Sequence, residues 1–293
     1  MRLYEVNSLV LSGGGIKGIS ILGALHYMSR ETKYLNNIIN YSGTSIGAII
    51  CILLCAGYTP LEIFSKLHFI NELWEFDIKD VLQIHEQFGL KSNEEFVNTV
   101  MELICIKYPF INTLGELYAL TNKTVYICTV NLSTEKVIYI SHKTHKNMPI
   151  SLALRMSCNL PGVFTKIVYD DHLYVDGGVV DNLPLTPLNE KGNTIIAIDI
   201  SRSLTEYSDN INFIEYFYRV ASIGGRHNQS LLTSLISAPL YLFTIQHKNY
   251  HFIKLEMSLQ DRRDFFDEGY NQINETILGI ELEEENIYKN NNI

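Results

Sequence analysis

The stretch Gly43-Thr44-Ser45-Ile46-Gly47 has the pattern G-x-S-x-G and stands between two apolar segments. Residues 38–41 before it are short, apolar and compatible with a β-strand. Residues 46–58 after it form an apolar run of 13 residues that is typical of a buried helix. A strand, a sharp turn and a helix would place Ser45 at the tip of the turn, where flanking glycines let the backbone bend and a substrate approach. Because the pattern alone is common, its neighbours decide its meaning.

The composition predicts a globular protein with a large core. The chain has 293 residues, of which 46% are hydrophobic and 19% charged. Its net charge of −9 argues against nucleic acid as a partner. The same charge argues against bulk attraction to anionic membranes, but it leaves room for a local basic patch.

Cysteine usage and apolar segments predict a reduced, cytoplasmic protein. The five cysteines include no C-x-x-C pair, and Cys51 and Cys55 share one face of an apolar helix, where we expect them in the core. Residues 1–7 are too polar and too short for a signal peptide. A membrane-spanning helix needs about 20 apolar residues, so we expect contact with a membrane only at its surface.

Strand and helix patterns alternate along the chain, which predicts a layered α/β fold with a mainly parallel sheet. Predicted strands cover residues 8–11, 38–41, 124–130, 136–141, 167–169, 173–175, 194–200 and 252–255. Predicted helices cover residues 19–30, 46–56, 149–158, 211–236 and 261–278. Thr59-Pro60 predicts a helix start, and Ser92 with Glu95 predicts a capping box for a helix through Tyr108.

One catalytic domain is expected over residues 1–280, with a helical insertion at 59–118. Among the aromatic side chains of the insertion are Phe64, Phe69, Trp74, Phe76 and Phe88. Two interpretations stay open for them, namely packing on the core or forming a lid that faces lipid. Residues 281–293 are rich in Glu and Asn and are expected to be a frayed or disordered tail.

A glycine-rich loop at residues 12–18 has three competing interpretations. Gly13, Gly15 and Gly18 satisfy G-x-G-x-x-G between a strand and a helix, the fingerprint of a dinucleotide-binding Rossmann protein. The second strand, however, lacks the acidic residue that would hold the ribose, and Glu31 falls at a helix end. The backbone N–H groups of Gly13, Gly14 and Gly15 could instead stabilise an oxyanion. A tight turn with no chemical role is the third reading.

A serine nucleophile needs a base within hydrogen-bonding distance. Six histidines could serve, but none has a distinctive setting: His142, His145, His172, His227, His247 and His251. His247 and His251 are four apart, yet no third metal ligand accompanies them, so we expect no zinc site. Asp176 is the better candidate, because it ends an apolar strand and begins Asp176-Gly177-Gly178. Asp181 lies past that turn and is less favoured.

Taken together, these motifs resemble the patatin-like phospholipase family in order and approximate spacing. The resemblance covers roughly residues 9–201 and rests on Ser12-Gly13-Gly14-Gly15-Ile16-Lys17-Gly18, Gly43-Thr44-Ser45-Ile46-Gly47, Ser157-Cys158-Asn159-Leu160-Pro161-Gly162-Val163-Phe164, Asp176-Gly177-Gly178 and Asn182-Leu183-Pro184. One departure is Ser12, where many members have Asp.

The resemblance implies a Ser–Asp dyad without histidine, with Ser45 as nucleophile and Asp176 as base. It also implies an oxyanion hole at Gly13, Gly14 and Gly15, and chemistry that needs no metal or cofactor. The supporting motif glycines are Gly18, Gly43, Gly47, Gly177 and Gly178. The implied fold is a three-layer α/β/α sandwich related to α/β hydrolases.

The sequence therefore predicts a lipid acyl hydrolase of phospholipase A or lysophospholipase type. Its substrate would be a phospholipid or another fatty-acyl ester, met at a peripheral membrane or micelle surface. One alternative is a catalytically silent member of the fold that binds lipid or protein. The other is the dinucleotide-binding Rossmann protein.

Overall fold

The computed structural model describes residues 6–66, 84–202, 213–247 and 258–291. The strands are β1 (Ser8–Leu11), β2 (Asn40–Thr44), β3 (Thr124–Asn131), β4 (Lys136–Ile140), β5 (Ile167–Tyr169), β6 (His172–Asp176), β7 (Ile195–Arg202) and β8 (Leu240–His247). The helices are α1 (Gly18–Glu31), α2 (Ile46–Cys55), α3 (Pro60–Lys66), α4 (Ile84–Gln87), α5 (Glu94–Lys107), α6 (Leu114–Thr121), α7 (Ile150–Ser157), α8 (Phe213–Ser234) and α9 (Leu259–Asn291). Short 3-10 turns lie at Gly15–Lys17, Gly177–Val179 and Thr186–Leu188.

These strands form one sheet in the order β5-β6-β3-β2-β1-β7-β8, with β4 also paired to β3. The five neighbouring strands β3, β2, β1, β7 and β8 pair in parallel. The pairs β3–β4, β3–β6 and β5–β6 are antiparallel. The predicted mainly parallel sheet is therefore confirmed. In the register of β1 with β2, Leu11 lies opposite Gly43. The glycine loop and Ser45 consequently leave neighbouring strands at the same edge of the sheet, the edge where open α/β sheets bind ligands.

Alternating side chains bury both faces of this sheet. Leu9 and Leu11 of β1 belong to one hydrophobic cluster, whereas Val10 belongs to a second cluster. Strand β7 divides between the same two clusters. Because successive side chains of a strand point to opposite faces, both faces must be covered. Helices cover both, which confirms the predicted three-layer α/β/α arrangement.

Helices α1 and α9 cross with their backbones in contact. A Cβ atom on Gly269 would lie 1.9 Å from the carbonyl oxygen of Ser20, and one on Gly23 would lie 1.9 Å from that of Phe266. Phe265 and Ile273 of α9 are buried in the main core cluster. Helix α9 is therefore part of the core rather than an appendage.

Two predicted boundaries differ from the structure. Strand β2 covers Asn40–Thr44 rather than residues 38–41, because pairing with β1 and β3 continues through residues that locally favour a turn. The second difference is at the C-terminus. Helix α9 extends to Asn291, across the segment predicted to be frayed or disordered from Glu281.

The capping box predicted at Ser92 and Glu95 is wrong. Helix α5 begins after Asn93, and the Ser92 hydroxyl accepts a hydrogen bond from the N–H of Glu94 at 3.1 Å. The side chain of Asn93 makes no cap because its Oδ1 accepts from the Nε of Arg155 at 3.2 Å, while its Nδ2 donates to the Arg155 carbonyl at 2.8 Å. A reciprocal capping box occurs instead at the start of α6.

Some of the remaining predictions concern residues that the structure describes, and others lie outside them. Strand β8 was not predicted, and the strand predicted at 252–255 lies outside the described residues, as do Phe69, Trp74 and Phe76. Of the other insertion aromatics, Phe64 packs against Phe266 with ring centroids 4.5 Å apart. Phe88 is exposed and lies near the ammonium group of Lys166. Cys51 and Cys55 are buried in the core, as predicted.

None of the helices in the described part of the chain combines the length and the apolar character needed to cross a bilayer.

The contact between α1 and α9 makes a testable prediction about stability. We expect Gly269→Ala to lower the free energy of unfolding by about 1–3 kcal/mol, because the added methyl group has no space against Ser20. The matched control is Gly279→Ala on the same helix. A Cβ atom there meets nothing within 4 Å, so this change should raise stability by up to about 1 kcal/mol. Urea unfolding followed by circular dichroism measures both, and equal effects would contradict the packing described.

Candidate active site

Ser45 occupies a strained turn between β2 and α2. Its φ of 55° and ψ of −123° are a conformation that non-glycine residues rarely adopt. The turn depends on its two glycines. A Cβ on Gly43 would lie 2.6 Å from the backbone nitrogen of Ala48, and one on Gly47 would lie 2.5 Å from the carbonyl oxygen of Leu11. The geometry is that of a nucleophile elbow, which presents a serine hydroxyl above the edge of a sheet.

The end of helix α7 holds this turn in place. The backbone N–H of Ser45 donates to the Ser157 hydroxyl at 2.9 Å, and Ser157 is fully buried. The Ser45 hydroxyl also lies beside the buried thiol of Cys158. The pKa of that thiol is raised, chiefly by burial and then by the neighbouring Asp176 carboxyl. Cys158 is therefore a neutral neighbour of the serine.

Asp176 ends strand β6 with its carboxyl group directed to Ser45. Its backbone N–H donates to the carbonyl oxygen of Asn159 at 2.9 Å, and its Oδ1 accepts from the N–H of Gly178 at 2.7 Å. Burial raises the pKa of Asp176 to about 6, although hydrogen bonds from Gly178 and the Ser45 hydroxyl partly offset that rise. A carboxyl group with such a pKa changes charge close to neutral pH, which is what a general base needs.

Residues 157–159 thus touch both members of the Ser–Asp pair. The Ser157 side chain fixes the backbone of Ser45, and the Asn159 carbonyl fixes the backbone of Asp176. In the sequence this segment was marked only by its resemblance to a family motif. No local pattern in the sequence indicates that the Ser157 side chain and the Asn159 carbonyl would bind the ends of two strands that are far apart in the chain.

The glycine loop faces Ser45, but its three N–H groups differ. A Cβ on Gly13 would lie 3.4 Å from the Cβ of Ser45. The N–H of Gly13 already donates to the Asn182 carbonyl at 3.1 Å, and the Asn182 side chain donates back to the Gly13 carbonyl at 3.1 Å. Within the described ranges, the N–H groups of Gly14 and Gly15 have no such acceptor. Gly13 is therefore anchored, whereas Gly14 and Gly15 can donate to a ligand.

Ser12 links the start of the same loop to strand β7. Its hydroxyl accepts from the N–H of Ile200 at 3.0 Å and lies beside the carboxyl of Asp199, a half-buried residue. The pKa of Asp199 is raised by burial, and the hydrogen bond from Ser12 opposes that rise. The residue that departs from the family pattern thus supports the loop instead of facing Ser45.

The other predicted candidate bases are engaged elsewhere. The Asp181 carboxylate accepts from the Tyr139 hydroxyl at 2.6 Å. His142 stacks on Tyr118 with ring centroids 3.7 Å apart. His145 contacts Thr144, and His251 lies outside the described residues. Over the part of the chain that is described, no histidine is hydrogen-bonded to Ser45 or Asp176.

His247 belongs to a second serine–histidine–acid group, which the sequence did not reveal. Its Nε2 lies 2.9 Å from the Ser20 hydroxyl and its Nδ1 lies 2.7 Å from a carboxylate oxygen of Glu268. Ser20 is fully buried, and its hydroxyl donates to the Lys17 carbonyl at 2.7 Å. A substrate cannot reach that hydroxyl. This group therefore ties α1, β8 and α9 together.

Residues of strand β6 line a largely apolar cavity of about 380 Å³. Asn159 and Val175, which line it, are each bonded or adjacent to Asp176. Further lining residues include Phe88, Leu132, Phe164, Lys166, Leu173 and Tyr174. The Oδ1 atom of Asn159 is buried without a hydrogen-bond partner among the described residues. The volume lies in the usual range for small-molecule sites.

Within the described ranges, no group of three or more His, Cys, Asp or Glu side chains is arranged to hold a metal ion. The candidate site consists of the Ser45 hydroxyl, the Asp176 carboxyl and the backbone N–H groups of Gly14 and Gly15.

Comparisons with known proteins show the family to which the chain is similar. A family model described as patatin-like phospholipase matches residues 9–189. The chain is 30% identical to "Probable lipid hydrolase 463L" of Invertebrate iridescent virus 6 over 254 residues, which cover 82% of this chain and 85% of that protein. It is 26% identical to "Lysophospholipase NTE1" of Saccharomyces cerevisiae over 213 residues, covering 70% of this chain and 12% of that much longer protein.

The fold is also found among solved structures. VipD from Legionella pneumophila aligns with a TM-score of 0.54 at 14% identity, covering 92% of this chain and 66% of that one. At this identity the match indicates a shared fold.

Burial of the Asp176 carboxyl makes a prediction about stability and pH. The folded-state pKa of about 6 lies above the unfolded value of 3.8, so the folded state binds this proton more tightly. The stabilisation that this bound proton gives the folded state is complete below about pH 4, and it is lost as the pH rises through about 6. At pH 7.5 we therefore expect Asp176→Asn to raise the free energy of unfolding by up to about 3 kcal/mol.

Urea unfolding between pH 4.5 and 8 measures this effect, and the advantage of Asp176→Asn should shrink toward the acid end. Asp267→Asn, at an exposed position of α9, is the control and should change stability little at any pH. A variant at Asp176 no more stable than the parent at pH 7.5 would show that the buried charge is not destabilising.

Proposed function

Since the chain belongs to the patatin-like phospholipase family, we propose that it hydrolyses fatty-acyl esters of phospholipids or lysophospholipids through a dyad of Ser45 and Asp176. The observation that carries this proposal is the pairing of a strained, elbow-borne serine hydroxyl with a buried carboxyl whose pKa is about 6. Relatives named as a lipid hydrolase and as lysophospholipases support the substrate class.

The first half of the reaction forms an acyl-enzyme. Above about pH 6 the Asp176 carboxylate accepts the proton of the Ser45 hydroxyl as its oxygen attacks the ester carbonyl carbon. The bond from that carbon to the alcohol oxygen then breaks. The leaving alcohol takes the proton from Asp176, and the fatty-acyl group remains on Ser45.

The second half releases the fatty acid. Asp176 accepts a proton from a water molecule, whose oxygen attacks the acyl carbonyl. The bond to the Ser45 oxygen breaks, and the proton held by Asp176 returns to that oxygen. One residue thus acts as base and acid in turn, which makes a histidine unnecessary.

Negative charge on the carbonyl oxygen in both halves needs hydrogen-bond donors. We assign this role to the N–H groups of Gly14 and Gly15, which have no acceptor among the described residues. Such a donor typically contributes about 3 kcal/mol to transition-state stabilisation. Gly13 and Asn182 have a supporting role, because their two mutual hydrogen bonds fix the loop against the segment that follows Asp176.

The cavity beside Asn159 and Val175 is suited to a fatty-acyl chain. Its lining is mostly apolar and includes Val175, which precedes the proposed base in the chain, and Asn159, which binds the backbone of that base. Transfer of each methylene group from water into such a site contributes about 0.8 kcal/mol. Binding energy from the chain would thus help to place the ester beside Ser45.

A member of the fold that binds lipid without turnover remains the second candidate, since its cavity would look the same. Ser45 in an elbow next to an ionisable carboxyl favours catalysis over binding alone. The Rossmann alternative has less support, because the glycine loop faces Ser45 and the fold is that of the patatin-like family.

The dyad predicts the effect of two substitutions. Ser45→Ala and Asp176→Asn should each lower ester hydrolysis by at least about 10³-fold, because each removes one partner of a unit that acts together. Mass spectrometry of fatty acids released from phosphatidylcholine and lysophosphatidylcholine measures the loss. A fluorophosphonate should label the parent but not Ser45→Ala.

Asp267→Asn serves again as the control and should keep the parental rate. Parental rates in either dyad variant would remove the assignment. A folded parent that binds lipid but neither labels nor hydrolyses would support the silent alternative.

The cavity predicts a dependence on chain length. Leu173→Trp places a larger side chain in the cavity, so kcat/KM for dodecanoyl esters should fall by about 10-fold or more while butyryl esters are hydrolysed as before. Val168→Trp on the paired strand is the matched control, because Val168 is 58% exposed. If both variants lose activity equally on long and short esters, the cavity does not hold the acyl chain.

A further inference from the structure

Helix α8 carries an apolar stripe on the side that faces away from the protein. Tyr216 is 58% exposed, Val220 55%, Ile223 65% and Leu231 59%. With 3.6 residues per turn, these four positions fall within an arc of about 80°. Leu235, just beyond the helix end, is 65% exposed. We call this set the α8 stripe. The exposed side chain of His227 falls within the same arc as the four apolar residues.

The orientation of α8 is fixed by contacts on its opposite side. A Cβ on Gly225 would lie 2.6 Å from the Val180 carbonyl oxygen, so the helix backbone touches the segment that follows Asp176. Ser222 is buried, and the Gln229 side chain donates to the Leu183 carbonyl at 3.5 Å. The α8 stripe therefore faces solvent because the other face is in use.

Such a pattern is unusual for a helix that connects two parallel strands, since its outward face is ordinarily polar. Contiguous exposed apolar side chains mark surfaces that meet a partner or a membrane. The opposite face of this helix contacts the segment that follows Asp176, so about one helix diameter separates the α8 stripe from that segment.

Charge favours a membrane as the partner. The α8 sequence contains two arginines and one glutamate, in a chain whose net charge is −9. Arg226 is exposed, and its guanidinium donates to the carbonyl oxygen of Arg219 about two turns earlier, so both residues lie on the same side of the helix beside the stripe. An apolar face flanked by arginine is the pattern of helices that lie in the interface of an anionic bilayer.

The depth at which an interfacial helix lies would bring the active site close to the bilayer surface. Interfacial helices bury their apolar face about 5–10 Å into the boundary between headgroups and acyl chains. A helix is about 10 Å across. The segment after Asp176, which contacts the far side of α8, would then lie near the level of the lipid headgroups, where acyl esters become accessible.

We propose that the α8 stripe docks the protein on an anionic lipid bilayer and sets the height of the active site above it. The biological sense of this docking rests on the proposed lipid hydrolase function, but the docking itself does not require turnover. The binding test is therefore made in the Ser45→Ala background, where lipid is not consumed.

The experiment is flotation with vesicles of phosphatidylcholine containing 30% phosphatidylserine, and with vesicles of phosphatidylcholine alone. Ser45→Ala protein should float with the anionic vesicles. Adding Ile223→Asp should lower the bound fraction at least 10-fold, because it places a charge in the centre of the stripe. Adding Ile106→Asp on α5, where Ile106 is 68% exposed, is the matched control and should leave binding unchanged. Circular dichroism melting checks that all variants are folded.

A further variant, Arg226→Glu, should weaken binding to anionic vesicles more than binding to neutral ones. Three results would each overturn the proposal: no vesicle binding by Ser45→Ala, equal binding by the Ile223→Asp and Ile106→Asp variants, or a dimer in sedimentation that Ile223→Asp dissociates. The last would assign the stripe to a second copy of the chain. If Ile223→Asp abolishes vesicle binding but the parent does not hydrolyse lipid, the docking stands and the proposed function fails.

Discussion

Ser45 keeps a backbone conformation that an L-residue adopts only when its surroundings enforce it. The enforcing contacts come from three directions: pairing of β2 within the sheet, close approach of α2 through Gly47, and the hydrogen bond from the Ser45 N–H to Ser157. Because the same segment also binds the backbone of Asp176 through the Asn159 carbonyl, residues 157–159 hold Ser45 and Asp176 in a fixed relation. Strain at one residue is thus matched by rigidity in the elements around it.

Burial of Asp176 shows how the site works against the stability of the fold. A carboxyl group that forms a hydrogen bond but is withdrawn from water keeps its proton more readily, which raises its pKa toward neutrality. Because the Asp176 carboxyl has lost this contact with water, it can take up and return a proton near neutral pH. Evolution commonly accepts lower stability at such positions in return for activity. The second buried group, Ser20 with His247 and Glu268, is fully engaged in packing and has no comparable role.

Local sequence patterns were sufficient for the features that depend on backbone conformation. The elbow at Ser45 and the turn at Asp176 are specified by neighbouring glycines. Other features depend on distant partners. Asn93 displaced the predicted capping box because Arg155 takes its side chain, and Gly13 lost its free N–H because Asn182 approaches from 169 residues away. Strand β8 could have been predicted, because its apolar Phe243 and Ile245 alternate with the polar Thr244 and Gln246, and the former are buried while the latter are exposed.

The match to the family ends at residue 189, whereas the sheet does not. Strand β1, which leads into the glycine loop, is paired on one side by β7, and β7 is paired in turn by β8. A protein cut at the family boundary would expose the hydrogen-bonding edge of β1 and the face of α1 that α9 covers. Exposed edges of this kind favour aggregation. The unit to express and crystallise therefore extends through α9, and swapping catalytic modules between relatives should keep these last elements with their own glycine loop.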